Sequence, residues 1–119
     1  MATPNIVNVA TINAKNATGA VTTSRASAVD VSADKVAKIN TILICNIDGT
    51  NSANITIEVS VDNGSNYVAI ASTISVPALA TLNFLESPIY LDETDILAVT
   101  ASANSDLTYF VSYETLNDA

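Results

Sequence analysis

Apolar and polar residues alternate in several short runs of this chain, and no run has the period of a helix. The clearest run, residues 55–61, places four β-branched residues at every second position, which is typical of a half-buried strand: Ile55, Ile57, Val59 and Val61. Residues 39–47 are apolar on both faces and indicate a central strand covered on both sides. Turn-forming residues at 46–54 separate the two runs, so the sequence predicts a central hairpin over residues 38–61.

The spacing of such runs predicts an all-β fold, an antiparallel β-sandwich of jelly-roll or immunoglobulin-like topology. Val68, Ile70 and Ile74 are expected on one face of their strand, and one or two further strands are expected before residue 36. Strand count alone does not separate the two topologies. Six strands are predicted from residue 36 onward, with Asn-, Asp- and Gly-rich turns between several of them: 36–47, 55–61, 67–74, 80–85, 96–102 and 107–114.

Residues 1–31 contain few apolar residues and indicate an extended N-terminal arm, with residues 32–119 as the β-sandwich domain. We expect this arm to be poorly ordered in the free protein and to clamp a neighbouring subunit by strand addition. Its short apolar alternations suit such pairing.

Charge is distributed unevenly along the chain. The first 38 residues hold all four basic residues and two acidic ones, a net charge of +2, whereas the remaining ten carboxylates bring the whole chain to −8. An acidic body repels nucleic acid, so nucleic acid is not expected as a partner. The asymmetry favours docking of the arm on an acidic surface, and the alternative is that the charges are simply solvated. Four basic side chains are the candidate partner-binding residues: Lys15, Arg25, Lys35 and Lys38.

Groups that carry out chemistry are scarce. The chain has no histidine, which excludes Ser-His-Asp and Cys-His nucleophiles and imidazole metal sites. Its single cysteine, Cys45, cannot form an internal disulfide and is expected to be buried and inert. No catalytic residue, cofactor or metal is therefore predicted, and the chain is not expected to be an enzyme. Residues 62–66 and the acidic corner at residues 92–95 have oxygen ligands suited to Ca²⁺, although turns use the same residue types.

Neither a signal peptide nor an apolar stretch of membrane-spanning length is visible in the sequence. We therefore expect synthesis in a cytoplasm and no membrane partner. The core is expected to be thin, because the apolar residues are mostly aliphatic and only six aromatic residues are present. Assembly with other chains would then contribute to stability.

Four segments resemble small virion structural proteins of tailed bacteriophages, particularly those of marine cyanobacteria. Their shared features are an apolar strand that ends in Asn46, a strand that stops at Val76-Pro77, and an acidic corner that leads into a strand. The resemblance covers residues 38–114 and implies a β-sandwich capsid cement (decoration) protein or a neck or tail component. It also implies a location in the virion and partners such as the major capsid protein. The four segments are residues 38–46, 74–77, 89–97 and 111–114.

The first functional hypothesis is a capsid cement protein that binds junctions between shell subunits. A homo-oligomer is expected, with a trimer favoured because shell junctions offer three-fold symmetry. A head-to-tail or tail component of the same fold is the alternative within this class. A carbohydrate- or Ca²⁺-binding β-sandwich module is the alternative of another class, and it requires an exposed aromatic platform or a filled carboxylate cluster.

Overall fold

Two antiparallel β-sheets pack face to face in the computed structural model, which describes residues 9–118. No helix occurs in that part of the chain, and accordingly no helix there is long and apolar enough to cross a membrane. The all-β prediction is confirmed. The strands are β1 (Val9–Val21), β2 (Ala26–Asp30), β3 (Lys35–Asn46), β4 (Ala53–Ser60), β5 (Val68–Val76), β6 (Thr81–Asn83), β7 (Ile89–Leu91), β8 (Ile96–Ala101) and β9 (Leu107–Asp118).

The strand order is that of a jelly roll. Sheet A has the order β1-β9-β3-β6, with β7 also paired to β3, and sheet B has the order β2-β8-β4-β5. The pairs are nested, because β1 pairs with β9, β2 with β8, β3 with β6 and β7, and β4 with β5. One long hairpin wound into two sheets gives this order, whereas immunoglobulin sheets combine their strands differently. The structure thus decides between the two topologies that the sequence left open.

The core lies between the sheets and is built from aliphatic side chains at alternate positions. Ile42 and Ile44 of β3 face Ile55 and Ile57 of β4 across this interface, and all four are completely buried. Each such side chain contributes roughly 1.5–3 kcal/mol relative to an exposed one. The alternation that predicted β4 is therefore the pattern of a strand with one face in the core.

The predicted hairpin over residues 38–61 is wrong in its pairing. Both arms are interior strands as expected, but β3 belongs to sheet A and β4 to sheet B. The two edges of β3 are occupied by β9 and by β6 and β7, while those of β4 are occupied by β8 and β5. The turn-forming residues between the two strands cross from one sheet to the other.

The strand that is buried on both faces is β8, not β3 as predicted. Five of the six residues of β8 are buried, whereas the residues of β3 that point away from the core, such as Leu43, are half-buried. Cys45 is half-buried as well, so its predicted burial is only partly met. Ile47 lies beyond the end of β3 and is 57% exposed.

Residues 9–31 do not form a separate arm. β1 pairs with β9 along its length and β2 pairs with β8, so these residues supply two strands of the sandwich. Their few apolar side chains need no core of their own, because Val21, Val29 and Val31 are buried in the common core. The predicted boundary at residue 31 is therefore absent among the described residues, and the rest of the predicted arm, residues 1–8, lies outside them.

Candidate interaction surfaces

The four basic side chains predicted to bind a partner lie in three different environments. Lys15 of β1 and Lys35 of β3 line the same cavity at one end of the sandwich. Arg25 precedes β2 and lies against sheet B. Lys38 alternates with the buried residues Ala37 and Ile39 and therefore points to the outer face of sheet A. The structure thus brings two of the four together.

Arg25 is held within the chain. Its guanidinium donates two hydrogen bonds to the carboxylate of Glu58, from Nε to Oε1 at 2.9 Å and from Nη2 to Oε2 at 3.1 Å. The same group lies over the ring of Tyr67, with Cζ 4.1 Å from the ring centroid. The hydrogen bonds to Glu58 raise the pKa of Arg25, a group that is charged at any physiological pH in any case. This side chain is therefore already engaged.

The cavity that contains both lysines forms where sheet A continues past the end of β2. On β9, Tyr113 pairs with Lys15 of β1, and Asn117 pairs with Lys35 of β3, so the two lysines flank the same strand. The cavity has a volume of about 120 Å³, and we call it the lysine cavity. It is lined by Lys15, Val29, Asp30, Val31, Ser32, Lys35, Ala37, Tyr113 and Thr115.

Thr115 has an unusual position in this cavity. Only 7% of its surface is exposed, and its hydroxyl oxygen Oγ1 is buried without a hydrogen-bond partner. Buried polar groups are nearly always paired in folded proteins, so this unpaired hydroxyl is unfavourable. The neighbouring Asn117 has an unpaired buried oxygen of its own, Oδ1.

The acidic corner at residues 92–95 is partly buried. Glu93 and Asp95 are each 7% exposed. Asp95 Oδ2 accepts a hydrogen bond from the backbone N–H of Asp92 at 2.9 Å, and Glu93 Oε2 accepts one from the N–H of Asp34 at the same distance. Burial raises the pKa of Asp95. These contacts close the corner onto the β2–β3 turn, which is a structural role.

The second loop considered for Ca²⁺ is also explained by turn chemistry. Asp62 accepts hydrogen bonds from Asn66, from the backbone N–H to Oδ1 and from Nδ2 to Oδ2, both at 2.8 Å, and from the hydroxyl of Ser60. The hydrogen bonds from Asn66 hold the pKa of Asp62 below its usual value. Within residues 9–118, no group of three or more acidic or cysteine side chains is arranged to hold a metal ion.

An exposed apolar edge lies along β5, at the border of sheet B opposite β2. β5 is an edge strand of sheet B, and its side chains Val68, Ile70 and Ile74 are 67%, 47% and 41% exposed. Its pairing with β4 is interrupted by bulges, and Thr73 has a φ of 53°, which is rare for a β-branched residue. Val61 and Leu79 are also exposed, to 73% and 70%. We call these five residues the β5 edge.

The sequence matches no protein-family model and no curated protein. Among solved structures, the fold is similar to that of a protein from Bacillus endospore appendages, described as a novel family of disulfide-linked pili. The TM-score is 0.53 at 14% identity, and the alignment covers 92% of this chain and 88% of the pilus protein. Two structures of a pentameric capsid protein from metagenomic phage sequences align at 13% identity with TM-scores of 0.42 and 0.41. They cover 86% of this chain and 64% and 60% of theirs. The pilus alignment shows a shared fold over most of the chain.

Sequence reasoning missed both the lysine cavity and the β5 edge. It grouped Val68, Ile70 and Ile74 on one face, but apolar spacing is the same in a covered strand and in an edge strand. The distribution of charged residues could have revealed the β5 edge, because no charged residue occurs between Asp62 and Glu86. Exposed edge strands are normally protected by charged residues, so an uncharged edge indicates a strand that a partner covers.

Proposed function

We propose that the protein is a bacteriophage virion structural protein, a capsid cement (decoration) protein that binds and stabilises the shell. The observation that carries this proposal is the β5 edge, which is apolar, uncharged and exposed. Apolar side chains exposed along an unprotected edge strand suit pairing with another chain. The partner is the major capsid protein, and the outer backbone groups of β5 are available for pairing with it.

The β5 edge has the properties of a surface that a partner protein covers. An exposed edge strand offers unpaired N–H and C=O groups to any other strand, and natural proteins usually block it with lysine, proline or a bulge. Here only the bulges are present, and Ile70 and Ile74 remain exposed. Covering these side chains on a shell would remove apolar area from water and would add to the stability of both partners.

Fold and sequence support the same role. Jelly rolls form viral capsid domains as well as lectins and cupins, so the fold admits a structural role without requiring it. The resemblance of residues 38–46, 74–77, 89–97 and 111–114 to virion proteins favours that role over the others. We propose accordingly that the protein is located in the virion, catalyses no reaction and assembles as a homo-oligomer, a trimer at three-fold shell junctions. Sedimentation of the free protein tests the oligomeric state.

A charge placed on the β5 edge tests the proposal. Ile70→Lys and Ile74→Lys introduce the kind of residue that protects natural edges, at positions where a lysine can extend into water. The measurement is binding of purified protein to particles that lack it. We expect about tenfold or greater loss of affinity for each variant, since each buries an unpaired charge at the contact.

Ile12→Lys is the matched control. Ile12 is 60% exposed on β1, at the edge of sheet A and away from the β5 edge. We expect this variant to bind particles as the parent protein does. Unimpaired binding of Ile70→Lys and Ile74→Lys, with loss in Ile12→Lys, would instead place the contact on the N-terminal strands and would refute the assignment to β5.

A further inference from the structure

We propose that Asn63 is a site of spontaneous covalent modification, deamidation through the backbone nitrogen of Gly64, and that the hydroxyl of Ser60 controls its rate. Asn63 and Gly64 lie in the turn between β4 and β5, and they form the single Asn-Gly pair of the sequence. Asparagine is among the chemically labile residues of proteins. The modification is independent of the cement role, since it needs no partner.

The reaction uses only groups of the chain and water. The backbone nitrogen of Gly64 loses its proton and attacks the side-chain carbon Cγ of Asn63, which forms a C–N bond and closes a cyclic imide. The side-chain nitrogen of Asn63 leaves with a proton as ammonia. Water then adds to one of the two imide carbonyls and opens the ring, which leaves either aspartate or isoaspartate at position 63. No oxidant or reductant is required, because no atom is oxidised or reduced.

Asn63 is the asparagine of this turn that is free to react. Its side chain is exposed and forms no hydrogen bond within the described part of the chain. Gly64 has no side chain that would hinder the approach of its nitrogen to Cγ. Asn66 differs on both counts, because its Nδ2 donates to Oδ2 of Asp62 at 2.8 Å and the bulky Tyr67 follows it.

A hydrogen bond holds the attacking nitrogen in the folded protein. The N–H of Gly64 donates to Oγ of Ser60 over 2.8 Å. Ser60 is completely buried at the end of β4, and its hydroxyl donates in turn to Oδ1 of Asp62 at 2.9 Å. This second bond fixes the hydroxyl proton on Asp62 and leaves the lone pairs of Oγ for Gly64. The proton that the reaction must remove is therefore engaged by a buried acceptor instead of by water.

The reaction consequently proceeds from a state in which the turn has opened. Local openings of this kind occur in native proteins without global unfolding. The rate at Asn63 should equal the rate in the unfolded chain multiplied by the fraction of molecules with an open turn. Loss of the bond to Ser60 should raise that fraction about tenfold, the effect of one typical hydrogen bond.

The isoaspartate product would keep the turn open. In isoaspartate the main chain runs through the side-chain methylene, so the path from Ser60 to the N–H of Gly64 becomes one atom longer. Asn63 and Gly64 have φ values of 57° and 88°, which fit the unmodified chain to this bond. Either product also adds a carboxylate beside Asp62 to a chain whose net charge is already −8. The modification would thus loosen the turn that leads into β5 at Val68.

Peptide mapping by mass spectrometry, after incubation of the full-length protein in mildly alkaline buffer, tests the site. We expect aspartate and isoaspartate to accumulate at position 63 while Asn66 stays intact. Unfolding of the chain in urea should accelerate the reaction at Asn63 about tenfold or more. An isoaspartyl methyltransferase labels isoaspartate and distinguishes it from aspartate. Absence of reaction in the unfolded chain would overturn the site, and equal rates in the folded and unfolded protein would overturn its protection by the turn.

Ser60→Ala tests the controlling hydrogen bond. Removal of the acceptor should raise the rate at Asn63 about tenfold in the folded protein, and hydrogen exchange of the Gly64 amide should rise by a similar factor. Ser65→Ala is the matched control, because it removes an exposed hydroxyl from the same turn without touching the bond between Ser60 and Gly64. It should react as the parent does. Equal rates in Ser60→Ala and the parent would contradict the role of Ser60.

Hydrogen exchange of the Ile57 amide separates opening of the turn from general unfolding, since Ile57 lies on β4 between two paired strands. Its protection should persist in Ser60→Ala. A faster reaction at Asn63 with an equal loss of protection at Ile57 would contradict local control by the turn. The parent protein at low urea concentrations gives the same test without a substitution. Exchange at Gly64 and deamidation should rise together before Ile57 loses protection, and a rise only together with Ile57 would overturn the proposal.

Discussion

The side chain of Asn46, at the end of β3, donates a hydrogen bond from Nδ2 to the backbone carbonyl of Val76, at the end of β5, over 3.0 Å. β3 lies in sheet A and β5 in sheet B, so this bond ties the two sheets together. Both residues are completely buried. Nδ2 also donates to the carbonyl of Asn51, and Oδ1 accepts from the N–H of Asp48. Both the nitrogen and the oxygen of the side-chain amide therefore have hydrogen-bond partners.

Asn46→Ala should destabilise the fold by about 2–4 kcal/mol, because it leaves the buried carbonyl of Val76 without this donor and opens a small cavity. Urea unfolding followed by circular dichroism measures the change. Asn40→Ala is the control on the same strand, since the amide of Asn40 makes a single bond to Glu114 at 3.2 Å and is half-buried. A loss from Asn46→Ala no larger than that from the control would contradict the role of Asn46 as a link between the sheets.

Arg25→Ala tests whether the predicted partner-binding role of Arg25 holds. We expect the variant to bind particles as the parent does, because the guanidinium is engaged by Glu58 and Tyr67 within the chain. Its stability should decrease slightly, and the decrease should shrink at high salt, since the pair is partly exposed and screened. Lys38→Ala, which changes charge without breaking an ion pair, is the control. A folded Arg25→Ala protein that no longer binds particles would show that Arg25 reaches the partner.

Asp95→Asn should stabilise the protein relative to the parent more at pH 7 than at pH 3. Burial raises the pKa of Asp95 above its ordinary value of 3.8, so the unfolded chain loses this proton first as the pH rises. The protein therefore loses stability as the pH rises from the pKa of Asp95 in the unfolded chain to its pKa in the folded protein. The asparagine side chain of the variant does not titrate, so the variant avoids this loss. Urea unfolding at the two pH values measures the difference.

Asp62→Asn should show the opposite pH dependence when its urea unfolding is measured at the same two pH values. Hydrogen bonds from Asn66 lower the pKa of Asp62, so its ionised form stabilises the fold above pH 3.8, and this contribution disappears as the pH falls through the folded pKa. The variant should therefore lose more stability at pH 7 than at pH 3. The same sign of pH dependence in both variants would contradict the environments described here.

Much of the secondary structure could be predicted because the apolar period reports which face of a strand is covered. The alternation at residues 55–61 predicted β4, and Ile55 and Ile57 are buried as that pattern requires. The same period says nothing about which strand lies alongside. β3 and β4 were therefore paired incorrectly, since the loop between them is compatible both with a hairpin and with a crossing between sheets.

The two candidate surfaces depend on contacts between residues far apart in the sequence. Lys15 and Lys35 share a cavity only because β1 and β3 lie on either side of β9, and no local pattern reveals that register. Their charges did single them out as candidates. The sequence predicted one or two strands before residue 36, but it treated residues 1–31 as an arm separate from the sandwich domain, because the few apolar side chains of residues 9–31 fill a core that is built mostly by later strands.

The copy number of the protein in purified particles tests the central claim most directly. Quantitative mass spectrometry of intact particles, calibrated against the major capsid protein, gives this number. A capsid cement protein should be present in hundreds of copies, in a simple ratio to the shell protein set by the shell symmetry. About six or twelve copies would instead indicate a neck or tail component, and absence from the particles would contradict the structural role altogether.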